Sequence, residues 1–191
     1  MNRFALPRWS LIAALLLLTL VAATGSLLFG AVDLSVARLI AAATGDGDRV
    51  ASVILFDLRL PRTILALGVG AILGLAGAAL QGYLRNPLAE PSVLGTSNAA
   101  ALGGVAALYF GIAELHPVML PLLATGGALL SLALLFILSG KAESPLTLIL
   151  AGIAVGTLAI AGTSLALNLS PNPFAAMEIM TWLLGSLENR S

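Results

Sequence analysis

The chain has 191 residues, 59% of them hydrophobic and 9% charged, with zero net charge and a mean hydropathy of +1.05. A soluble domain carries about 25% charged residues, so this composition excludes a globule covered by polar surface. Nine basic residues against nine acidic ones leave no basic excess for nucleic acid, and the absence of cysteine excludes disulfides, thiolate metal sites and thiol nucleophiles.

The charges are segregated into short clusters. An uncharged run of 24 residues lies between Arg8 and Asp33, one of 22 between Arg62 and Arg85, one of 23 between Glu90 and Glu114, and one of 24 between His116 and Lys141. About 20 apolar residues in a helix cross the ~30 Å hydrocarbon core of a bilayer. The pattern predicts an all-α, polytopic membrane helix bundle of five spans. Residues 10–30 form the first span. Arg3 and Arg8 ahead of a Leu-rich run resemble a signal peptide, but the apolar run exceeds the usual length, so we read a retained helix. Residues 31–61 form an external loop, with turn chemistry at "ATGDGD" (Ala43 to Asp48) and an amphipathic stretch before it that suits a membrane surface. The second span is 62–84, the third 92–111, the fourth 117–139 and the fifth 146–169. His116 reads as an interfacial residue at a helix start. "SPNP" (Ser170 to Pro173) ends the fifth span, and 174–187 is a short interfacial helix with Trp182 as its anchor.

Three spans carry small residues at helical spacing: Gly70, Gly74 and Gly77 in the second, Gly95 and Gly103 in the third, Gly152 and Gly156 in the fifth. Such stripes let helix backbones approach within lipid, so these spans are expected to pack on protein and the first to face lipid. Orientation stays open on charge alone. With the N-terminus inside, four basic residues (Arg3, Arg8, Arg85, Lys141) lie inside and five (Arg38, Arg49, Arg59, Arg62, Arg190) outside, although the acid-free N-terminal tail favours the inside.

No phosphate-binding loop, metal-ligand cluster or nucleophile–base pair can be assembled, so no cofactor, metal or catalytic residue is assigned and the chain is not read as an enzyme. Every ionisable residue lies at a span end, which opposes an ion-driven carrier. The informative stretch is "YLRNPLAEPSVLGTSNAAALGG" (Tyr83 to Gly104). Asn86-Pro87 and Glu90-Pro91 make a double-proline hairpin. Gln81 precedes it, and Thr96, Ser97 and Asn98 follow it where lipid contact would be costly. A tight turn between spans is one reading; side chains lining a water-accessible path or its gate are the other, and the double proline with its polar helix start favours the second.

"LRLPRTILALGVGAILGLAGAALQGYLRNPLAEPSVLGTSNAAALGG" (Leu58 to Gly104) resembles the signature region of FecCD-type ABC permeases, the membrane subunits of importers for iron–siderophore complexes, haem and cobalamin. "LTLILAGIAV" (Leu146 to Val155) and "EIMTWLLGSLENRS" (Glu178 to Ser191) are similar to two further stretches of that family. The resemblance implies a bacterial plasma (inner) membrane location, a cytoplasmic N-terminus and about ten helices per subunit. It implies as partners a second permease subunit, a cytoplasmic ATPase pair that uses the ATP, and an external substrate-binding protein. Arg59 and Arg62 would dock that protein, while Asn86, Pro87 and Leu88 would form the cytoplasmic gate loop, with Gln81, Thr96, Ser97 and Asn98 as pathway-lining candidates. A second gate segment, polar in the cobalamin member, holds Pro145 and Leu146 here and is not carried over. The chain corresponds to the first half of such a permease, so we expect no transport from it alone. A non-transporting five-helix scaffold or assembly partner is the rival class.

Overall fold

The computed structural model describes residues 7–140 and 144–187. Arg3, Lys141 and Arg190, which entered the orientation count, lie outside these residues, as does the end of the "SLENRS" match. Every regular element among the described residues is helical. Contacts divide the chain into two units, residues 1–71 with 187–191 and residues 72–186.

The first unit begins with α1 (Arg8–Leu28), 21 residues and about 32 Å long, with no buried side chain. From Arg8 to Ala22 every side chain is exposed, as a Leu-rich lipid-facing span requires. Helices α2 (Val36–Thr44) and α3 (Arg49–Val53) follow. Ser35 caps α2 by accepting the Arg38 N–H, and Gly45 ends it at φ +89°, a left-handed conformation that glycine adopts without a Cβ clash. Asp48 caps α3 by accepting the Ala51 N–H at 2.7 Å. Leu39 and Ala42 of α2 bury against Ala51 and Leu55, with Leu27, Leu28 and Leu34 packed around them. The amphipathic face expected to lie on a membrane surface thus covers a small protein core.

The segment expected as loop 31–61 is helical from Arg49 onward. Helix α3 runs through a π-helical turn (Ile54–Arg59) into α4 (Leu60–Leu84), a continuous 36-residue run. The sequence hides this continuity because Asp57 and Arg59 read as polar loop, whereas Arg59 is a buried helical residue.

The second unit is built around α5 (Thr96–Tyr109), which packs on α7 (Met119–Ser139), α8 (Pro145–Asn168) and α9 (Pro173–Leu183), with the short α6 (Ile112–Leu115) linking α5 to α7. The third expected span, 92–111, is not one helix. A 3-10 turn (Pro91–Leu94) comes first, Gly95 breaks the path at φ +70°, and α5 then runs for 14 residues, about 21 Å. Four helices among the described residues are long and apolar enough to cross a membrane: α1, the run ending in α4, α7 and α8. The break has a physical cause. Pro91 disfavours a helical Glu90, and the left-handed Gly95 cannot continue a right-handed helix.

Trp182 lies half-buried over Gly104 of α5, where any Cβ would collide with its ring. Asn172 caps α9 by accepting the Ala175 N–H at 2.9 Å, and the Tyr109 hydroxyl donates to the Leu169 carbonyl at 3.0 Å, fastening the end of α5 to the end of α8. His116 is exposed, with Nδ1 accepting the Val118 N–H at 3.3 Å.

Candidate pathway hairpin and docking surface

The hairpin begins where α4 ends. The Arg85 N–H donates to the Gly82 carbonyl at 3.4 Å and the Asn86 N–H to the Gln81 carbonyl at 3.2 Å. These two bonds make a Schellman cap, whose left-handed position normally falls to glycine. Here it is Arg85, at φ +50°, the one non-glycine residue with positive φ among those described. Sequence reasoning missed this, because "LRNP" carries no glycine to announce the turn.

Past the cap the loop is fastened to itself. Asn86 Oδ1 accepts the Leu88 N–H at 2.9 Å, the Ala89 N–H donates to the Asn86 carbonyl at 3.1 Å, and Gln81 Nε2 donates to the Ala89 carbonyl at 3.4 Å. Ser92 Oγ donates to Glu90 Oε1 at 2.5 Å. Ala89 is buried, while Pro87 is exposed and Leu88, 87% exposed, stands at the tip. Among the expected gate residues, Asn86 therefore shapes the loop and Leu88 is the side chain it presents. Gln81 braces the loop rather than standing free.

The glycines divide into two groups. Gly95 rests on α8: a Cβ there would strike the backbone of Gly156, and a Cβ on Gly152 would come within 2.7 Å of the Val93 carbonyl oxygen. One on Gly156 would lie 3.0 Å from Gly95 Cα and 3.2 Å from Asn98 Nδ2. Gly103 abuts the Leu123 backbone of α7. Irregular backbone is tolerated at membrane depth only where protein buries it or it lines a water-filled cavity, and the contact of these three glycines covers one side of the break. Around Gly70, Gly74 and Gly77, by contrast, a Cβ would meet nothing within 4 Å among the described residues. Of the three polar residues that open α5, Thr96 and Asn98 are half-buried and Ser97 is exposed.

In the first unit, Arg59 and Arg62 stand one turn apart yet face differently. Arg62 is exposed. Arg59 is only 7% exposed: Nη1 donates to the Leu27 and Leu28 carbonyls, both at 2.8 Å, and Nη2 to the Val32 carbonyl at 2.6 Å. Of the two arginines expected to dock, Arg62 is thus exposed and Arg59 is bonded to backbone carbonyls. Both side chains line an open cleft of about 570 Å³, whose opposite wall includes Phe29, Gly30 and Val32. At the start of α3, Asp48 is held below the usual carboxylate value of 3.8, first by the Ala51 N–H and then by the Arg38 guanidinium, with which it forms an ion pair. Among the described residues no three His, Asp or Glu side chains converge as metal ligands.

The family model described as the FecCD transport family matches residues 15–191. The ABC transporter permease protein YvrB of Bacillus subtilis (strain 168), itself uncharacterized, is 39% identical over 154 residues, covering 76% of this chain and 42% of YvrB. The vitamin B12 import system permease protein BtuC of Salmonella newport (strain SL254) is 39% identical over 130 residues, 68% of this chain and 40% of BtuC. A solved structure of a metal-chelate type ABC transporter in an inward-facing conformation aligns with a TM-score of 0.79 at 34% identity, covering 95% of this chain and 55% of that one. The chain therefore spans less than half the length of these two curated relatives.

Proposed function

Because the chain belongs to the FecCD transport family, we propose that it forms one part of the membrane permease of an ABC importer for an iron–siderophore complex or a related chelate such as haem or cobalamin. The remainder of the permease is the length its relatives have beyond this chain. ATP is hydrolysed by a separate pair of ATPase subunits, and the cargo arrives on an external binding protein. The permease pairs with a second copy or a related subunit in the bacterial plasma membrane, with this chain's N-terminus on the cytoplasmic side.

The observation that carries the reading is the interrupted third element. A soluble-type bend would not need Pro91–Leu94 to lie against the glycines of α8, and a plain span would not place Thr96, Ser97 and Asn98 at the start of a shortened helix. Half-helices whose polar ends are buried in protein are how membrane transporters bring backbone and hydroxyl groups to a pathway. In this reading Leu88 and the 86–90 loop close the inner end of the path, Asn86 and Gln81 keep the loop in shape, and Ser97 faces the path. The cargo's metal stays inside its chelate, so the permease needs no ligand cluster of its own.

Arg62 is the docking cation. An exposed guanidinium offers a carboxylate two parallel charge-assisted bonds. In a permease that joins this chain to the rest of its length, Arg62→Glu is expected to weaken binding-protein association about tenfold or more, and reversal of the facing carboxylate on the binding protein to restore it. Unchanged association and uptake in Arg62→Glu would remove the docking role.

A further inference from the structure

We propose that Trp182 is a positioning residue. Its indole is seated in a notch that Gly104 leaves in α5, and this seat holds α9 on α5 and fixes α5 from a side that α7 does not cover.

The argument starts from two adjacent glycines. Neighbouring residues in an α-helix point about 100° apart, so Gly103 and Gly104 serve different partners. Gly103 abuts the Leu123 backbone of α7, whereas a Cβ on Gly104 would lie 2.8 Å from Trp182 Cζ2, 2.9 Å from Cζ3 and nearer still to Cη2. Those three atoms are the far edge of the indole, so the ring enters the notch tip first. Gly104 is itself buried, and Val105 and Ala107 beside it have no exposed surface.

Helix α9 is patterned to deliver the ring. Ala175, Ile179 and Trp182 recur at intervals of three or four residues and turn inward, with Ile179 fully buried, while Met177 and Thr181 on the opposite side are exposed. The side-chain bonds of this segment stay within it. Asn172 Oδ1 accepts the Ala175 N–H at 2.9 Å, and the Thr181 hydroxyl donates to the Met177 carbonyl at 2.8 Å. Packing therefore has to hold α9 on α5. Within lipid, apolar burial between helices gains little and close fit carries the association; a ring in a notch supplies that fit. The Tyr109 hydroxyl ties the C-terminal end of α5 to the end of α8, and Trp182 adds a second hold further back along α5.

The consequence for transport rests on the pathway reading of α5, but the seat does not, and the two fail separately. The full chain is melted in detergent with circular dichroism as the signal. Gly104→Ala is expected to lower the midpoint by about 4 °C or more, because its methyl displaces the ring. Trp182→Phe withdraws the far edge, so adding it to Gly104→Ala should return most of that loss. Gly126→Ala, on α7 where a Cβ would meet nothing within 4 Å among the described residues, should cost little and should not respond to Trp182→Phe. An equal cost for Gly104→Ala with and without Trp182→Phe overturns the proposal. If Gly104→Ala does not accumulate, its recovery on adding Trp182→Phe is the readout, and no recovery overturns the proposal. In a permease that joins this chain to the rest of its length, Gly104→Ala should change the thiol-labelling rate of Ser97→Cys by about twofold or more, and Trp182→Phe should restore it. An unchanged rate, or one that Gly126→Ala moves as much, overturns the positioning role. If Ser97→Cys is unreactive in every variant, the pathway reading falls and melting alone decides the seat.

Discussion

At Arg85 the chain holds a side chain where the backbone favours none. A left-handed non-glycine residue costs about 1–2 kcal/mol, and the cap around it is otherwise regular. Arg85→Gly is therefore expected to raise stability by about 1 kcal/mol, read from unfolding in detergent; a loss of stability would show that the arginine side chain makes a contact worth more than the strain. Asp48 gives a second prediction at this scale. Its carboxylate is stabilised in the folded chain by the Ala51 N–H and then by Arg38, so its folded pKa lies below the unfolded one. The cap's contribution is thus complete above the unfolded value and is lost as pH falls through the lower folded value. Melting measured from about pH 6 down to about pH 2 should fall less steeply in Asp48→Asn than in the natural chain; identical slopes would contradict the assignment. Neither residue announces its role in the sequence. "GDGDR" signals a turn and Asp48 suits a cap, but its ion pair with Arg38 depends on how α2 folds back, and nothing local marks Arg85 as left-handed.

Among the elements, the glycines test which helices meet within the chain. Gly103 and Gly156 lie against neighbouring backbone, whereas Gly74 faces open space among the described residues. Gly103→Leu and Gly156→Val are expected to destabilise the isolated chain by about 1–3 kcal/mol, and Gly74→Leu to change it by less than about 0.5 kcal/mol. Equal losses at all three sites would contradict this packing. The sequence shows why the distinction was not legible: spacing identifies a small face but not its partner. It made Gly70, Gly74 and Gly77 look equivalent to Gly152 and Gly156. In the same way, hydropathy located the apolar runs of α1, α4, α7 and α8 well, because solvent sets that pattern residue by residue. It extended the third run through a break, because "PSVLG" is apolar whether or not its backbone is helical. The burial of Arg59 was not legible either: "RLPR" does not show that its first arginine is bonded to the backbone carbonyls of Leu27, Leu28 and Val32 while its second is exposed.

For the molecule as a whole, the fold class and the family were legible in the sequence, since apolar run length and the "RNPLAEP" hairpin are local signals. The units' interiors were not, because they depend on which backbones come close. Large apolar side chains remain exposed along α1, α4 and α7, among them Leu16, Ile72 and Ile137, as expected of helices whose surroundings are lipid or further protein. The central claim is that the interrupted third element belongs to a water-accessible pathway. Cysteine accessibility at its opening turn tests this most directly. In a permease that joins this chain to the rest of its length and transports, Ser97→Cys should react with a membrane-impermeant thiol reagent, and the rate should change when ATP and the loaded binding protein are added. Thr96→Cys and Asn98→Cys, half-buried here, should react more slowly. Failure of all three positions to react in any state, with uptake intact, would contradict the account.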